Sequence, residues 1–584
     1  TIFSGCLAIE LNKEKLLKYV MNLLNLDDKI IRLIDNFDFA NSIVSFNYCQ
    51  EGADMRKKRT SNALKGIASC MICAWSLCAC GNVAEDSSDR KVMEESKAAE
   101  YEALFDEIEA ITPYKSLSNT NPIMTQRFGA DPYAMVYKDR VYFYMTGDTF
   151  EYDADGSVTE NTYGKINTIS VVSTTDMVNF EDHGTVYAAG SKGAAKWAAN
   201  SWAPAAAWKE IDGEVKFFLY FANSGGGIGV LTSDSPTGPF EDPLGEALIN
   251  NHTPNCADVI WIFDPAVLVD DDGRAYLYFG GGVPEGQAAN PGTARVVELG
   301  EDMISIAGEP VIIDAPYVFE DSGIHKYNNK YYYTYCSNWD VDQAGTDQYG
   351  FESGEIVCME SESPLGPFTI KETILENPGK YFGLGGNNHH CVFSFKDHWY
   401  ITYHTRVLEG NMGIEKGYRC THIDSFTMQK DGSIGLIDQT LQGREQLSYV
   451  DAYQRHSATE VAVMSGMSTV AGDAVTDFYG SGTMALGKIQ TGSFVKVQGV
   501  DFGEGAPSKW IAEIKNANGE VGVIQLRADG LNGDILGYLT IDANTGTNYA
   551  EFETNLNTGI TGVHDVYMIF YGEEYEVLSW QFEK

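Results

Sequence analysis

The chain has 584 residues, a length that favours two or three domains. Its formal net charge of −41 argues against nucleic acid or an anionic membrane surface as a partner, while a neutral polymer such as a polysaccharide stays compatible. The 33 Tyr, the 59 Gly and the 12% aromatic content favour a β-rich architecture over a helical bundle.

The N-terminal part of the chain is set aside from the fold prediction. Residues 1–54 are interpreted as an upstream, non-native segment, because the chain begins with Thr1 rather than Met. Residues 55–80 have a basic start, a short apolar stretch and the ending Leu-Cys-Ala-Cys at Cys80. This pattern resembles a bacterial lipoprotein signal peptide with Cys80 as the lipidated residue; an ordinary signal peptide or a buried helix is the alternative. The predicted location is the bacterial cell envelope, lipid-anchored or secreted.

An acidic segment follows the predicted signal peptide. Residues 81–117 are polar and acidic, which is typical of a tether with some helical character. The cysteines beyond Cys80 are scattered and include no CxxC pair, so neither a zinc site nor a disulfide framework is indicated.

Five related hairpin motifs come next, beginning at Asp131, Trp202, Phe263, Glu320 and Asn387. Each has a polar or Pro-marked entry, a short apolar strand, a polar turn and a second strand with alternating aromatic residues. Their spacing leaves room for about four strands per unit, which predicts an all-β fold with a five-bladed β-propeller over residues 118–446. An array of β-sandwiches is the alternative. Residues 447–584 read as a separate β-sandwich, or jelly-roll, domain.

Carboxylates stand at three of these entries. Asp131, Asp264 and Glu320 are far apart in sequence, but propeller geometry brings the entries of different blades together at the central channel. A single Asp-Pro motif would be read as a turn, whereas three carboxylates at matching repeat positions favour a site. Carboxylates around one pocket suit glycosidic cleavage, in which one donates a proton and another activates water or attacks carbon.

Longer motifs carry a resemblance to a known family. The stretches "TPNCADVIWIFDPAVLVDDDGRAYLYFGGG", "APYVFEDSGIHKYNNKYYYTYCSN" and "NPGKYFGLGGNNHHCVF" resemble glycoside hydrolase family 43. Within it they look like the arabinoxylan arabinofuranohydrolases, which join a five-bladed propeller to a sandwich similar to family 6 carbohydrate-binding modules. The resemblance runs from about residue 122 to the C-terminus. It implies that no cofactor is required for the chemistry.

The resemblance also implies roles for residues. Asp131 matches the general base, Glu320 the general acid, and Asp264 the residue that tunes and orients the acid. Arg419 matches an arginine that contacts the sugar. His389, with His390 as the alternative, matches a histidine near a hydrated structural calcium ion at the propeller centre.

The sequence leaves the roles of two groups of residues open. Trp202 and Phe263 are equally well read as walls of a sugar pocket or as core residues. In the sandwich, the acidic pair that would hold calcium is reduced to a shifted Glu460, while Tyr549 and Phe494 are candidates for stacking on a sugar. The sandwich is therefore expected either to bind sugar or to support the propeller.

The sequence predicts an inverting, exo-acting α-L-arabinofuranosidase that acts as a monomer on arabinoxylan or a related plant cell-wall polysaccharide. A β-xylosidase or an endo-arabinanase of the same fold is the first alternative. A non-catalytic glycan-binding surface lipoprotein is the second, and the presence of all three carboxylates argues against it.

Overall fold

A computed structural model of the protein describes residues 87–472, 483–517, 520–542, 547–556 and 558–584. The predicted upstream segment and the predicted signal peptide with Cys80 lie outside these residues. None of the helices in the described part is long and apolar enough to cross a membrane. Those helices are α1 (Ser87–Asp106), α2 (Gln343–Tyr349), α3 (Gly379–Phe382) and α4 (Val407–Asn411).

The expected all-β fold is confirmed, and the first nineteen strands form five consecutive antiparallel sheets. Four of these sheets have four strands and the fifth has three. The strands are β1 (Ala130–Tyr137), β2 (Arg140–Thr146), β3 (Thr168–Thr174), β4 (Glu181–Tyr187); β5 (Trp202–Ile211), β6 (Glu214–Ala222), β7 (Gly227–Ser233), β8 (Ile249–Asn250); β9 (Ala266–Val269), β10 (Ala275–Phe279), β11 (Ala294–Glu298), β12 (Val311–Ile313); β13 (Val318–Tyr327), β14 (Lys330–Ser337), β15 (Ile356–Ser361), β16 (Thr369–Leu375); β17 (His390–Phe395), β18 (His398–Thr405) and β19 (Cys420–Phe426).

The hairpin between β13 and β14 shows why these residues form these elements. Asn328 and Asn329 both adopt a left-handed backbone, with φ of 49° and 61°, as a tight hairpin turn requires. The tyrosines that follow are buried, and Tyr333 stacks on Tyr278 of the preceding sheet with ring centroids 5.9 Å apart. Aromatic packing of this kind joins neighbouring sheets and favours strand over helix.

The first strands of the five sheets lie around a common centre. Contacts link β1 to β5, β5 to β9, β9 to β13, β13 to β17 and β17 back to β1. The chain ahead of β1 also meets the fifth sheet, because the backbone N–H of Ile123 donates to the carbonyl of Thr421 in β19 (3.0 Å). Residues at the mouths of different sheets are thereby brought close together.

The remaining strands form two six-stranded sheets with their own apolar core. One sheet contains β20 (Val450–Asp451), β22 (Val463–Ser465), β25 (Phe494–Asp501), β27 (Gly522–Ala528), β28 (Ile535–Ile541) and β30 (Val563–Tyr571). The other contains β21 (His456–Ser457), β23 (Ser468–Ala471), β24 (Met484–Gly487), β26 (Lys509–Lys515), β29 (Ala550–Asn555) and β31 (Glu576–Glu583).

The second domain contacts the first sheet through specific polar groups. Phe180 and Val461 exchange backbone hydrogen bonds of 3.0 and 3.2 Å. Asp182 is buried in the same region, where it pairs with Arg127 at 2.5 Å and accepts a hydrogen bond from Thr469 at 2.6 Å. The two domains therefore share backbone and side-chain hydrogen bonds.

The predicted tether is helical, and its later residues are packed. Phe105 of α1 is buried in a cluster with Phe494 and Tyr567, and the Tyr101 hydroxyl lies 2.8 Å from Thr540 Oγ1. The interpretation of Phe494 as a stacking platform for sugar is wrong, because its side chain is completely buried in this cluster. Tyr549 is half-buried, and its hydroxyl donates to Glu576.

Candidate active site

One pocket of about 390 Å³ lies where the first strands converge. The sequence-predicted site residues of this domain all line it: Asp131, Trp202, Phe263, Asp264, Glu320, His389 and Arg419. Tyr163, Trp261, Phe319, Asn387 and Gly225 complete its wall. The pocket is therefore built from residues of every one of the five sheets or of the loops beside them.

Left-handed backbone at the strand entries directs these side chains. Asp131 has a φ of 45° and Asp264 a φ of 49°, and strand pairing shifts register between Ala130 and Tyr133. An Asp residue tolerates this conformation better than most others. Strained backbone at a strand entry re-aims a side chain, and both carboxylates here reach the pocket.

Glu320 reaches the pocket from a different position. In β13 the left-handed residue at this place is Asp321, with a φ of 68°, so Asp321 and not Glu320 corresponds to Asp131 and Asp264. The prediction that three matching repeat positions carry the pocket carboxylates is therefore wrong by one residue at Glu320. The equivalents of Glu320 are Trp202 and Phe263, which also line the pocket.

Arg419 is held between two buried carboxylates. Its Nη1 donates to Asp131 Oδ1 at 2.8 Å, while Nε and Nη2 donate to the two oxygens of Asp148 at 3.0 and 2.8 Å. The guanidinium also lies over the Tyr163 ring, 4.9 Å from its centroid. A planar guanidinium bound bidentately is well fixed, so the position of Asp131 is fixed with it.

The pocket carboxyls have opposite electrostatic environments. Burial opposes ionisation of Asp131, but Arg419, His404 and His389 outweigh it and hold the pKa of Asp131 far below its usual range. Burial, and then the negative charges of Asp264 and Asp131, raise the pKa of Glu320 well above its usual range. Burial and the neighbouring carboxylates likewise raise the pKa of Asp264.

A proton donor and an ionised carboxylate therefore share the pocket at neutral pH. Glu320 retains its proton because its charged form is destabilised, and its buried Oε1 accepts no hydrogen bond from the protein. Asp131 stays ionised because of its ion pair with Arg419. This combination can perform general acid–base chemistry.

His389 lies at the centre of the carboxylates. Its Nδ1 is 3.7 Å from Asp131 Oδ1 and 3.8 Å from Asp264 Oδ2, and its Nε2 is 3.1 Å from Asp321 Oδ1. Burial lowers the pKa of His389, which keeps the imidazole neutral. His390, the alternative candidate for the histidine near a calcium ion, points away from the pocket lining and pairs with Asp321 and Thr334.

Aromatic rings extend from the pocket towards the surface. Trp202 lines the pocket and donates its indole N–H to the Tyr163 carbonyl at 3.0 Å. Trp261 makes edge contacts with Phe263 and Phe319, both at 5.3 Å between centroids. Phe319 in turn contacts Trp339, whose side chain is 45% exposed.

Comparison with known proteins decides the family. The family model described as glycosyl hydrolases family 43 matches residues 119–434, and the model of the family 6 carbohydrate binding module matches residues 457–584. The chain belongs to glycosyl hydrolase family 43. The first match covers the five sheets and the pocket, and the second covers the β-sandwich domain.

Relatives of similar length support the assignment. The chain is 46% identical over 484 residues to an arabinoxylan arabinofuranohydrolase of Paenibacillus polymyxa, covering 80% of this chain and 74% of the relative. It is 44% identical to an arabinoxylan arabinofuranohydrolase of Bacillus subtilis, covering 78% and 90%. A crystal structure of a family 43 arabinoxylan arabinofuranohydrolase from Bacillus subtilis superposes with a TM-score of 0.77 at 42% identity, covering 81% of this chain and 99% of that one.

Sequence reasoning missed several residues that support this family 43 pocket. Asp148 lies two residues after the end of β2, and its role as the partner of Arg419 has no sequence signal beyond its place near a strand end. Asp321 is the second such residue, and the sequence analysis assigned the chemistry to its neighbour Glu320 alone. Aligning the repeats on their hairpin turns would have shown that Asp321 occupies the position of Asp131 and Asp264.

Proposed function

We propose that this family 43 enzyme is an inverting α-L-arabinofuranosidase that removes arabinofuranosyl side chains from arabinoxylan. The names of the relatives that match most of the chain support the substrate class. The observation that carries the mechanism is the opposite pKa shift of Asp131 and Glu320 in one pocket.

Each carboxyl then has a distinct task. Glu320 donates its proton to the leaving glycosidic oxygen, while Asp131 accepts a proton from a water that attacks the anomeric carbon from the opposite face. Asp264 raises the pKa of Glu320 through its charge and accepts the backbone N–H of Asp321 at 3.0 Å. Arg419 keeps Asp131 in its ionised form and presents its guanidinium to sugar hydroxyls.

The aromatic rings give the polysaccharide a path to this pocket. Trp202 and Phe263 form walls for the arabinose ring, as the sequence allowed. The half-exposed Trp339, which continues the chain of rings from Trp261 and Phe319, provides a flat apolar surface for the xylan backbone.

The five sheets are proposed to be the five blades of one propeller. The ring of contacts among the first strands and the hydrogen bond from Ile123 to Thr421 support this arrangement. The sandwich is proposed to support the propeller, since Thr469 donates to Asp182 of the first sheet and Phe180 and Val461 exchange backbone hydrogen bonds.

A calcium ion at the centre is proposed as structural only. Among the described residues, no group of three or more His, Cys, Asp and Glu side chains is arranged as a metal cage. The neutral Nδ1 of His389 faces two carboxylates, and Asp321 Oδ1 accepts no hydrogen bond, which fits a hydrated cation held largely through water. His389 would hold such an ion, which would offset the negative charge of the pocket.

The cellular location is proposed from the sequence alone. Cys80 would carry lipid and anchor the enzyme to the bacterial envelope as a monomer. If Cys80→Ser leaves the protein in the membrane fraction with unchanged incorporation of labelled lipid, this proposal fails.

A panel of four substrates tests the activity. The enzyme should release arabinose from arabinoxylan and from an aryl α-L-arabinofuranoside, and it should act weakly or not at all on an aryl β-D-xyloside and on linear arabinan. Preferential release of xylose would favour a β-xylosidase, and oligosaccharides from linear arabinan would favour an endo-arabinanase. Absence of turnover on every substrate would favour a non-catalytic binding protein.

A further inference from the structure

The centre of the propeller domain is a ring with one residue from the entry of each sheet. Asp131, Asp264, Asp321 and His389 each lie six residues before the turn of their hairpin, and Ala203 occupies the same place beside the register shift at the entry of its longer hairpin. Four of them have a left-handed backbone, with φ of 45°, 36°, 49° and 68° in chain order up to Asp321. Asp321 is thus the fourth member of this ring, although it is not part of the pocket lining.

Asp321 joins the site to the fifth sheet. Its side chain is completely buried, and its Oδ2 accepts the backbone N–H of His390 at 3.1 Å and lies 2.5 Å from His390 Nδ1. Its Oδ1 lies 3.1 Å from Nε2 of His389, and its own backbone N–H donates to Asp264. Burying an aspartate is costly unless it is paired, so this geometry is strongly constrained.

His390 is fixed on its far side as well. Its Nε2 lies 2.7 Å from the hydroxyl of Thr334, which sits in β14 beside β13. Asp321 therefore connects three strands: its own, the neighbouring β14 through His390, and β17. A side chain held by so many partners can maintain a strained backbone conformation at its own position.

That conformation decides where Glu320 points. Successive residues of a regular strand face opposite sides, and the pairing of β13 with β14 shifts register between Glu320 and Gly323. With Asp321 anchored behind the pocket in a left-handed conformation, the preceding Glu320 faces into it. We propose that Asp321 is a positioning residue for Glu320, and this proposal rests on the proposed function of Glu320 as proton donor.

The substitution Asp321→Asn tests the proposal. Asn tolerates a left-handed backbone and has the same shape, but an amide N–H replaces one carboxylate oxygen, so either His389 or His390 faces a donor in place of an oxygen. We expect kcat on arabinoxylan to fall by about tenfold to a hundredfold, a part of what a general acid supplies, with little change in KM. Turnover of an aryl arabinofuranoside with an activated leaving group should stay within about threefold of the unsubstituted enzyme, because such a group departs without a proton.

Equal losses on both substrates, or unchanged activity on both, would overturn the positioning role. Thermal melting reports whether the variant folds. If Asp321→Asn does not fold, His390→Gln removes the imidazole that pairs with Asp321 and should likewise slow arabinoxylan more than the aryl arabinofuranoside. Glu320→Ala in parallel separates the two proposals. If Glu320→Ala slows arabinoxylan much more than the aryl arabinofuranoside and Asp321→Asn does not, the positioning role of Asp321 is refuted and the proposed acid stands. If Glu320→Ala slows both substrates equally, the proposed role of Glu320 as proton donor is refuted.

Discussion

Asp131 and Glu320 line the same pocket, yet their surroundings shift the pKa values of the two carboxyls in opposite directions. Asp131 has cationic and hydrogen-bonding partners, because Arg419 Nη1 lies 2.8 Å from its Oδ1 and this guanidinium, together with His404 and His389, outweighs the burial of that carboxylate. Glu320 has burial and like charges around it. One carboxyl is thereby kept as a base and the other as an acid over the same pH range.

Removing the acid should affect substrates according to their leaving groups. We predict that Glu320→Ala lowers kcat/KM on arabinoxylan by about 10²–10⁴-fold while an activated aryl arabinofuranoside is largely spared. Initial rates on the two substrates measure the split. The exposed Glu301→Ala serves as the matched control and should leave both rates unchanged. Equal loss on both substrates would argue against Glu320 as proton donor.

The pH profile should report the charge of Asp264. The pKa of Asp264 is itself raised, and in its ionised form Asp264 raises the pKa of Glu320, so Asp264→Asn should lower the pKa of Glu320. Because the acid must be protonated to work, the alkaline limb of kcat/KM against pH should move to lower pH. An unchanged alkaline limb, or one moved to higher pH, would contradict the role given to Asp264.

Asp182 should stabilise the first domain at the place where the sandwich contacts it. Its partner Arg127 is mostly buried, so Asp182→Ala leaves a buried cation unpaired and should cost about 3–5 kcal/mol. Asp234, which is exposed and pairs with Lys216, is the matched control and should cost no more than about 1 kcal/mol when changed to Ala. Thermal melting of the two variants makes the comparison, and equal shifts would show that the buried Asp182–Arg127 pair contributes no more to stability than an exposed pair.

Buried Lys115 should make stability depend on pH. It donates to the Pro122 carbonyl at 2.8 Å, and burial, then Arg444 and Lys496, lower its pKa from 10.5 to about 7. Between these values the unfolded chain binds more protons than the folded one, so this residue's contribution to stability rises with pH by up to about 1.4 kcal/mol per unit.

The variant Lys115→Met should therefore gain stability relative to the unsubstituted protein at pH 7 and lose that advantage towards pH 10. Melting temperatures across this range measure the difference. The exposed Lys192→Met, melted over the same pH range, is the control for the loss of a lysine that is not buried. A difference for Lys115→Met that is independent of pH would contradict the lowered pKa.

Much of this architecture could be predicted because the hairpins repeat. Alternating aromatic strands and marked entries identify the sheets, and convergence of the entries then places Asp131, Asp264 and Glu320 together. The single-residue offset at Glu320 is visible in the sequence only when the repeats are aligned on their hairpin turns, and its effect on the side chain depends on the register shift in β13. The covering of Phe494 by α1 depends on contacts between distant parts of the chain, which a local pattern does not encode.

The contacts that hold the pocket residues in place have no local signal in the sequence. Asp148 and Asp321 make their contacts to residues 271 and 69 positions away, respectively. Such pairs arise from the arrangement of whole sheets. A single chain shows the chemically active residues through their motif, but it does not show which buried carboxylate holds them.

The stereochemistry of the first product tests the central claim most directly. If Asp131 acts through a water, attack occurs once and with inversion, so proton NMR during early hydrolysis of an aryl α-L-arabinofuranoside should show β-arabinose first. Mutarotation should then produce the α-anomer more slowly. Appearance of the α-anomer first would contradict the account, because it would make Asp131 a nucleophile that forms a covalent intermediate.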